Sequence, residues 1–405
     1  MQRKNGAPIN RRRLTAVKKI ISLLMVCFIV LSFAACGKGE KGEKHSEELK
    51  IPDKKVALLV APESQYPEDY MAAKELQSQY PDNIIVREYS DSRVLVPGDP
   101  DIVNIAKELA QNEAVGALVF ARATQFTYLA IKKAKELNPE LVTVAVEPDQ
   151  GMDLVAEISD LVLVADWKLY AADIVSCAAK MGAEYFVMFS YERHAAGNPL
   201  YAQLKKTLAD ECYAKEIEFV YDAIQDPNYA GGPDKSRFSV KQGLVGLYNN
   251  KRIKGKNVAL FSTDSSVQST LVEECRDRDL IYLMPSYPTA YNGLCEVFDA
   301  QVPEDYRDID TFVSSLTASI AEDEHGGKFA VYTAPFASVM VRGAVYSAFD
   351  ILSDSPDSVT AALKAAGRVK DAGGKKLAAE PYPSYEKTVK CYLPGLELIK
   401  IKDKK

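Results

Sequence analysis

Residues 116–146 read GALVFARATQFTYLAIKKAKELNPELVTVAV. Two apolar, β-branched runs, 116–122 and 141–146, enclose a segment whose apolar residues recur three and four apart with lysines between them. A run that is apolar at nearly every position has no solvent face, so it needs cover on both sides. Strand, amphipathic helix, strand in that order specifies two parallel strands joined by a crossover helix.

The same grammar extends in both directions. Upstream lie KVALLV (55–60) and NIIVREY (83–89), and downstream DLVLVAD (160–166), with PEDYMAAKELQSQY and DIVNIAKELAQNEA between the early runs at helical spacing. A second series follows: YFVMFSY (185–191), EFVYDAI (218–224), NVALFSTD (257–264) and IYLMPSY (281–287), separated by NPLYAQLKKTLADECYAKE, SVKQGLVGLYNNKR and SVQSTLVEECRDR. Two α/β lobes with parallel sheets are the economical reading, with WKLYAADIVSCAAKM (167–181) at their junction. The tail adds a helix near DIDTFVSSLTASIAED, a strand FAVYTAPF (329–336), a long helix ASVMVRGAVYSAFDILSD and a late strand near VKCYLPGLELI, so the chain returns to both lobes. The expected division is lobe 1 over 54–165 plus about 300–336, and lobe 2 over 166–299 plus about 337–400.

The amino terminus carries Arg11, Arg12, Arg13, Lys18 and Lys19 ahead of IISLLMVCFIVLSFAAC, an uncharged core that suits a secretory signal; an uncleaved membrane anchor is the alternative. Phe33-Ala34-Ala35-Cys36-Gly37 resembles the lipobox of bacterial lipoproteins, which implies a signal peptide over 1–35 and a lipid (palmitate-type) anchor on Cys36 at the extracytoplasmic face of the cell membrane. Gly-rich, charged GKGEKGEKHSEELK then reads as a solvated tether within 36–53. Removing residues 1–35 takes away seven basic residues and no acidic one, lowering a formal charge that is already −6, so a nucleic-acid partner is not expected. Cys177, Cys212, Cys275, Cys295 and Cys391 are scattered, with no C-x-x-C pair, and read as small buried residues rather than a metal or redox site.

The lipoprotein start, APESQYPEDY after the first strand, the two βα series and the returning tail together resemble the type I periplasmic-binding-protein fold, over roughly residues 50–400. FSYERH followed by a helix ending in DECYAKEIEFV resembles an uncharacterised family of bacterial lipoproteins with that fold. The resemblance implies two lobes closing about a hinge on a small ligand, on behalf of an ABC importer.

Ligands of parallel sheets bind beyond the carboxyl ends of the strands. That rule selects Ser64 and Gln65 after the first strand, Arg122 and Thr124 after the third, Glu147 after the fourth, and Asp166 after the fifth. Each has an ordinary alternative: Ser64 caps a helix, and Arg122 ties down the lobe edge. Trp167, the single tryptophan, either stacks on a ligand ring or packs the hinge. In the second series the rule selects Tyr191, Arg193 and His194, then Asp264, then Tyr287. FSTDSSVQSTLVEE is similar to the strand-to-helix turn of the sugar-binding branch, which implies that Asp264 receives ligand hydroxyls; its alternative is the N-cap. Arg193 either meets the ligand or pairs with Glu192.

No catalytic residues are expected. Ser190, Glu192 and His194 share a period of two, but the chain has no G-x-S-x-G elbow, no H-x-x-x-H and no D-x-D-x-D-G loop, so neither cofactor nor metal is expected. The sequence thus reads as a membrane-anchored solute-binding lipoprotein that takes a sugar, nucleoside or related signalling molecule for an ABC permease. A ligand sensor for a membrane receptor is the alternative, and an extracellular hydrolase a third.

Overall fold

A computed structural model describes residues 49–398 apart from 64–65, 91–99, 149–150, 198, 228–230, 286–290, 302–308, 324–325, 355–356, 371–375 and 394–395. The amino-terminal signal, Cys36 and the tether up to residue 48 therefore lie outside the described residues, as do Ser64, Gln65 and Tyr287.

The first series folds as β1 (Lys55–Val60), α1 (Pro67–Gln79), β2 (Ile84–Glu88), α2 (Asp101–Ala110), β3 (Val115–Phe120), α3 (Thr127–Leu137), β4 (Val142–Val146), α4 (Met152–Ile158) and β5 (Leu161–Ala165). Strands β1 to β5 are all parallel, in the order β5-β4-β3-β1-β2. Alternation along β1 shows why the run had to be apolar throughout. Val56, Leu58 and Val60 enter one hydrophobic cluster, while Ala57 and Leu59 enter another on the opposite face, under α2 and α3.

After α5 (Trp167–Lys180) the pattern repeats as β6 (Tyr185–Ser190), α6 (Glu192–Gly197), α7 (Pro199–Ala214), β7 (Glu218–Ala223), α8 (Gly232–Asn249), β8 (Val258–Ser262), α9 (Gln268–Arg278) and β9 (Ile281–Leu283). A 3-10 turn over Ser265–Val267 leads into α9. Next come α10 (Tyr291–Val297), α11 (Ile309–Glu322), β10 (Phe329–Tyr332), α12 (Phe336–Asp354), α13 (Ser358–Arg368), β11 (Ala378–Pro381), β12 (Thr388–Tyr392) and β13 (Leu396–Leu398). The second sheet runs β13-β10-β9-β8-β6-β7, parallel except for β13 against β10.

The tail corrects the expected lobe division. FAVY of β10 is fully buried and pairs in parallel with β9, so residues near 330 extend the second sheet instead of the first. Helix α12 then lays its apolar face on α1, β3 and β4, and β12 pairs in parallel with β5, so α12 and β12 belong to lobe 1 rather than lobe 2. The expected single strand near VKCYLPGLELI is two strands in different sheets: β12 lies in the first, between β5 and an antiparallel β11, and β13 is an edge of the second. The chain thus crosses three times between lobes of the same strand order, at β5 to α5, β10 to α12 and β12 to β13. Two such lobes joined by three crossings constitute the type I periplasmic-binding-protein architecture.

Tyr170 packs where these crossings converge. Its ring lies 6.0 Å from that of Tyr332, 5.0 Å from Phe336 and 5.3 Å from Tyr392, so one side chain touches both flanks of the second crossing and the start of the third. From Leu49 onward the chain is one compact unit. The described cysteines are buried and unbridged.

Candidate ligand-binding site

In lobe 1 the site begins at the ends of β3 and β4. Arg122, two residues past β3, is buried, and its Nε donates to Asp69 Oδ2 at 3.1 Å. Asp69 stands in the first turn of α1, also buried, so the pair is a desolvated ion pair rather than a surface one. The Arg122 guanidinium lies 4.4 Å from the centre of the Tyr66 ring, and the Tyr89 hydroxyl donates to the Arg122 carbonyl at 3.2 Å. Burial raises the Asp69 carboxyl above its ordinary range despite the arginine beside it. For Arg122 burial pulls the other way, yet Asp69 holds it above its ordinary value.

Glu147 follows β4 directly and sits in the left-handed region, with φ of 47°. Such a backbone costs a non-glycine residue on the order of 1–2 kcal/mol. It turns the side chain toward the end of β5, where the carboxylate accepts the Ala165 N–H, and the residue is only 5% exposed. Burial pushes Glu147 up to about 7, with Asp69 adding to the rise and the Ala165 N–H and Arg122 opposing it. Thr124 is buried in the turn before α3, its carbonyl accepting the Thr127 N–H at 3.1 Å.

In lobe 2, β6 ends at Ser190 and the chain turns at once into α6, so Ser190, Glu192 and His194 do not line one strand face. Instead Thr263 stands between the serine and the histidine. Its hydroxyl lies 2.7 Å from Ser190 Oγ and 3.0 Å from His194 Nδ1, while Glu192 is exposed. Tyr191 is completely buried, its hydroxyl 3.0 Å from Ser266 Oγ. Arg193 pairs with Asp226 rather than Glu192, donating from Nε to Oδ2 at 2.7 Å. Asp264 takes the capping role, accepting the Ser266 N–H at 2.9 Å, and remains half-buried.

The two halves meet at Tyr201, in the first turn of α7. Its ring stacks on His194 at 4.3 Å and 6° between planes, and lies 5.6 Å from Trp167. Burial raises its phenol above the ordinary range, and the charges that act on it come from both lobes: Arg122, Glu147 and Tyr66 from the first, Asp264 from the second. Trp167 itself is buried against Tyr170 and Tyr201, and among the described residues its Nε1 has no partner. Beside this rank opens a pocket of about 200 Å³, lined by Ala165, Trp167, Lys168 and Gln203 on one side and Tyr382 and Lys390 on the other. Asp166 works at its floor, capping α5 through the N–H groups of Lys168 and Leu169 and accepting from Lys390 at 2.9 Å. Among the described residues no cluster of His, Cys, Asp or Glu is arranged to hold a metal ion.

The model of one family, described as protein of unknown function (DUF3798), matches residues 55–330, which runs from β1 to the first half of β10 and includes every described residue of this site except Tyr382 and Lys390. The chain belongs to that family. An uncharacterized protein of Treponema pallidum (strain Nichols) is 22% identical over 215 residues, covering 51% of this chain and 96% of that one. Among solved structures, a putative transcriptional regulator from Clostridium difficile 630 superposes with a TM-score of 0.69 at 15% identity, over 85% of this chain and 98% of that one, a likeness of fold. A periplasmic ribose ABC transporter from Conexibacter woesei DSM 14684 aligns at a TM-score of 0.49 and 11% identity, over 76% and 89%.

Of the described residues that the strand-end rule selects, His194 stacks on Tyr201 with Tyr191 behind it, and the charges of Arg122, Glu147 and Asp264 act on the Tyr201 phenol. Thr124 and Asp166 are held by local backbone roles, and Arg193 is turned to Asp226. The rule misses Asp69, Tyr201, Asp226 and Thr263. Tyr201 and Asp69 are carried in the first turns of helices rather than on strand-end loops, and first turns face the same cleft. Extending the rule by one helical turn finds both.

Proposed function

We propose that the chain is a membrane-anchored solute-binding lipoprotein that captures a small polar ligand, a sugar, nucleoside or related signalling molecule, between its lobes and hands it to an ABC permease. The observation that carries this reading is Tyr201, which stacks on His194 of its own lobe while standing in the field of Arg122 and Glu147 from the other. Flat aromatic faces with hydrogen-bonding groups around them suit rings bearing hydroxyl or amino substituents. The Ser190, Thr263 and His194 arrangement favours binding over acyl transfer, because the histidine nitrogen meets the threonine, and the carboxylate nearest in sequence, Glu192, is exposed.

A thermal-shift screen of the purified protein against sugars, nucleosides and amino acids tests the reading. Saturation with a ligand at a hundredfold over its Kd raises stability by about 2.7 kcal/mol, which moves the melting temperature by several degrees. No shift with any member, and unchanged melting in Tyr201→Ala and wild type alike, counts against it. For the anchor, a Cys36→Ala variant should appear in the soluble fraction of cells whose wild-type protein sediments with membranes. Cross-linking in those membranes then separates a permease partner from a receptor.

A further inference from the structure

The charges around Tyr201 restrict what the cleft accepts. Each arginine near it is already engaged by a buried aspartate, Arg122 by Asp69 and Arg193 by Asp226. Glu147 is different: among the described residues the Ala165 N–H is the one donor that reaches its carboxylate, although the side chain is buried. A carboxylate has room for several hydrogen bonds, so Glu147 can take a further donor beside the Ala165 N–H. Asp264 faces the same phenol from the opposite lobe with one oxygen given to the Ser266 N–H.

Resting on the binding reading above, we propose that Glu147 is the specificity-determining residue of the cleft, receiving an O–H or N–H donor from an uncharged, ring-bearing ligand, and that anionic analogues are excluded. An anion brought to Tyr201 meets two carboxylates and, among the described residues, arginines already engaged by aspartates, so it loses on charge and on desolvation together. The groups that act on Glu147 or feel its charge are Arg122 from the end of β3, Asp69 from α1, the Ala165 N–H from the end of β5, Cys391 from β12 and Tyr201 from α7. Of these Asp69 and Arg122 form a buried ion pair, and Glu147, pushed up to about 7, changes its charge near neutrality.

Calorimetric titration of the full chain in mild detergent with two matched pairs, adenosine against adenosine monophosphate and glucose against glucuronate, tests the assignment. The uncharged member of a pair should bind at least about tenfold more tightly than its anionic partner. Its affinity should fall about tenfold from about pH 8 to about pH 6, because a ligand that needs ionised Glu147 loses it through a pKa of about 7. In Glu147→Gln that pH dependence should flatten and the discrimination shrink, while the variant keeps a cooperative melt. Equal affinity for both members, or an unchanged pH slope in Glu147→Gln, overturns the role of Glu147 but leaves ligand binding standing. Absence of binding by all four probes together with a blank thermal-shift screen removes the binding reading itself, and this inference with it.

Discussion

Glu147 is the residue where sequence, strain and chemistry coincide. Its carboxyl, ordinarily near 4.5, is raised to about 7 by burial, so the folded protein holds a proton there that the unfolded chain has released. The stability this contributes is fully present below about pH 4.5 and is lost as the pH rises through about 7, to a total of roughly 3 kcal/mol. Glu147→Gln does not titrate. Its melting temperature should therefore gain on wild type steadily between pH 5 and pH 8, and a constant difference across that range would contradict the assignment. Asp69 makes the opposite case. Asp69→Asn leaves Arg122 charged, buried and without its anion, which should cost about 3–5 kcal/mol in urea unfolding. Adding Arg122→Met to that variant should recover a good part of the loss, since a buried pair is worth far less than the cost of breaking it. These positions also show what was legible at this scale. Strand-end geometry pointed to Arg122 and Glu147, but which carboxylate would neutralise the arginine was not readable, because Asp69 lies 53 positions away on a helix.

At the scale of elements, the sequence announced nearly every strand of the two sheets. Parallel strands covered on both sides must be apolar throughout, and few other structures tolerate such short uninterrupted runs. The tail was less legible for a physical reason. FAVY of β10 and the apolar face of α12 are both made to be buried, and hydrophobicity does not record against which sheet. Only the pairing of β10 with β9 and of β12 with β5 decides it. Close approach of elements gives a further test. A Cβ on Gly293 of α10 would sit 2.9 Å from the Ser269 backbone nitrogen in α9, so two helices would have to part. Gly293→Ala should destabilise by about 1–3 kcal/mol. Gly246, in α8 with nothing within 4 Å of its would-be Cβ, should instead gain about 0.5–1 kcal/mol as alanine. Chemical denaturation of the two single variants checks both signs at once.

For the whole molecule, function follows from where the crossings run. Three connections pass between the lobes, and Tyr170 packs among their flanking rings, so the closure about Tyr201 that the proposed function requires would pivot on this aromatic cluster. Ligand saturation should accordingly lower the radius of gyration in small-angle scattering, and an unchanged radius would remove hinge closure from the account. Thr263 stands between Ser190 and His194, an arrangement unlike the direct serine–histidine contact that the hydrolase alternative requires. The proposed function requires a small molecule to be held between the lobes against Tyr201. Native mass spectrometry of the full chain after incubation with a metabolite extract tests it most directly. Wild type should carry a discrete small-molecule adduct that Tyr201→Ala, folded by its cooperative melt, does not; an adduct of equal occupancy on both proteins, or none on either, would contradict it.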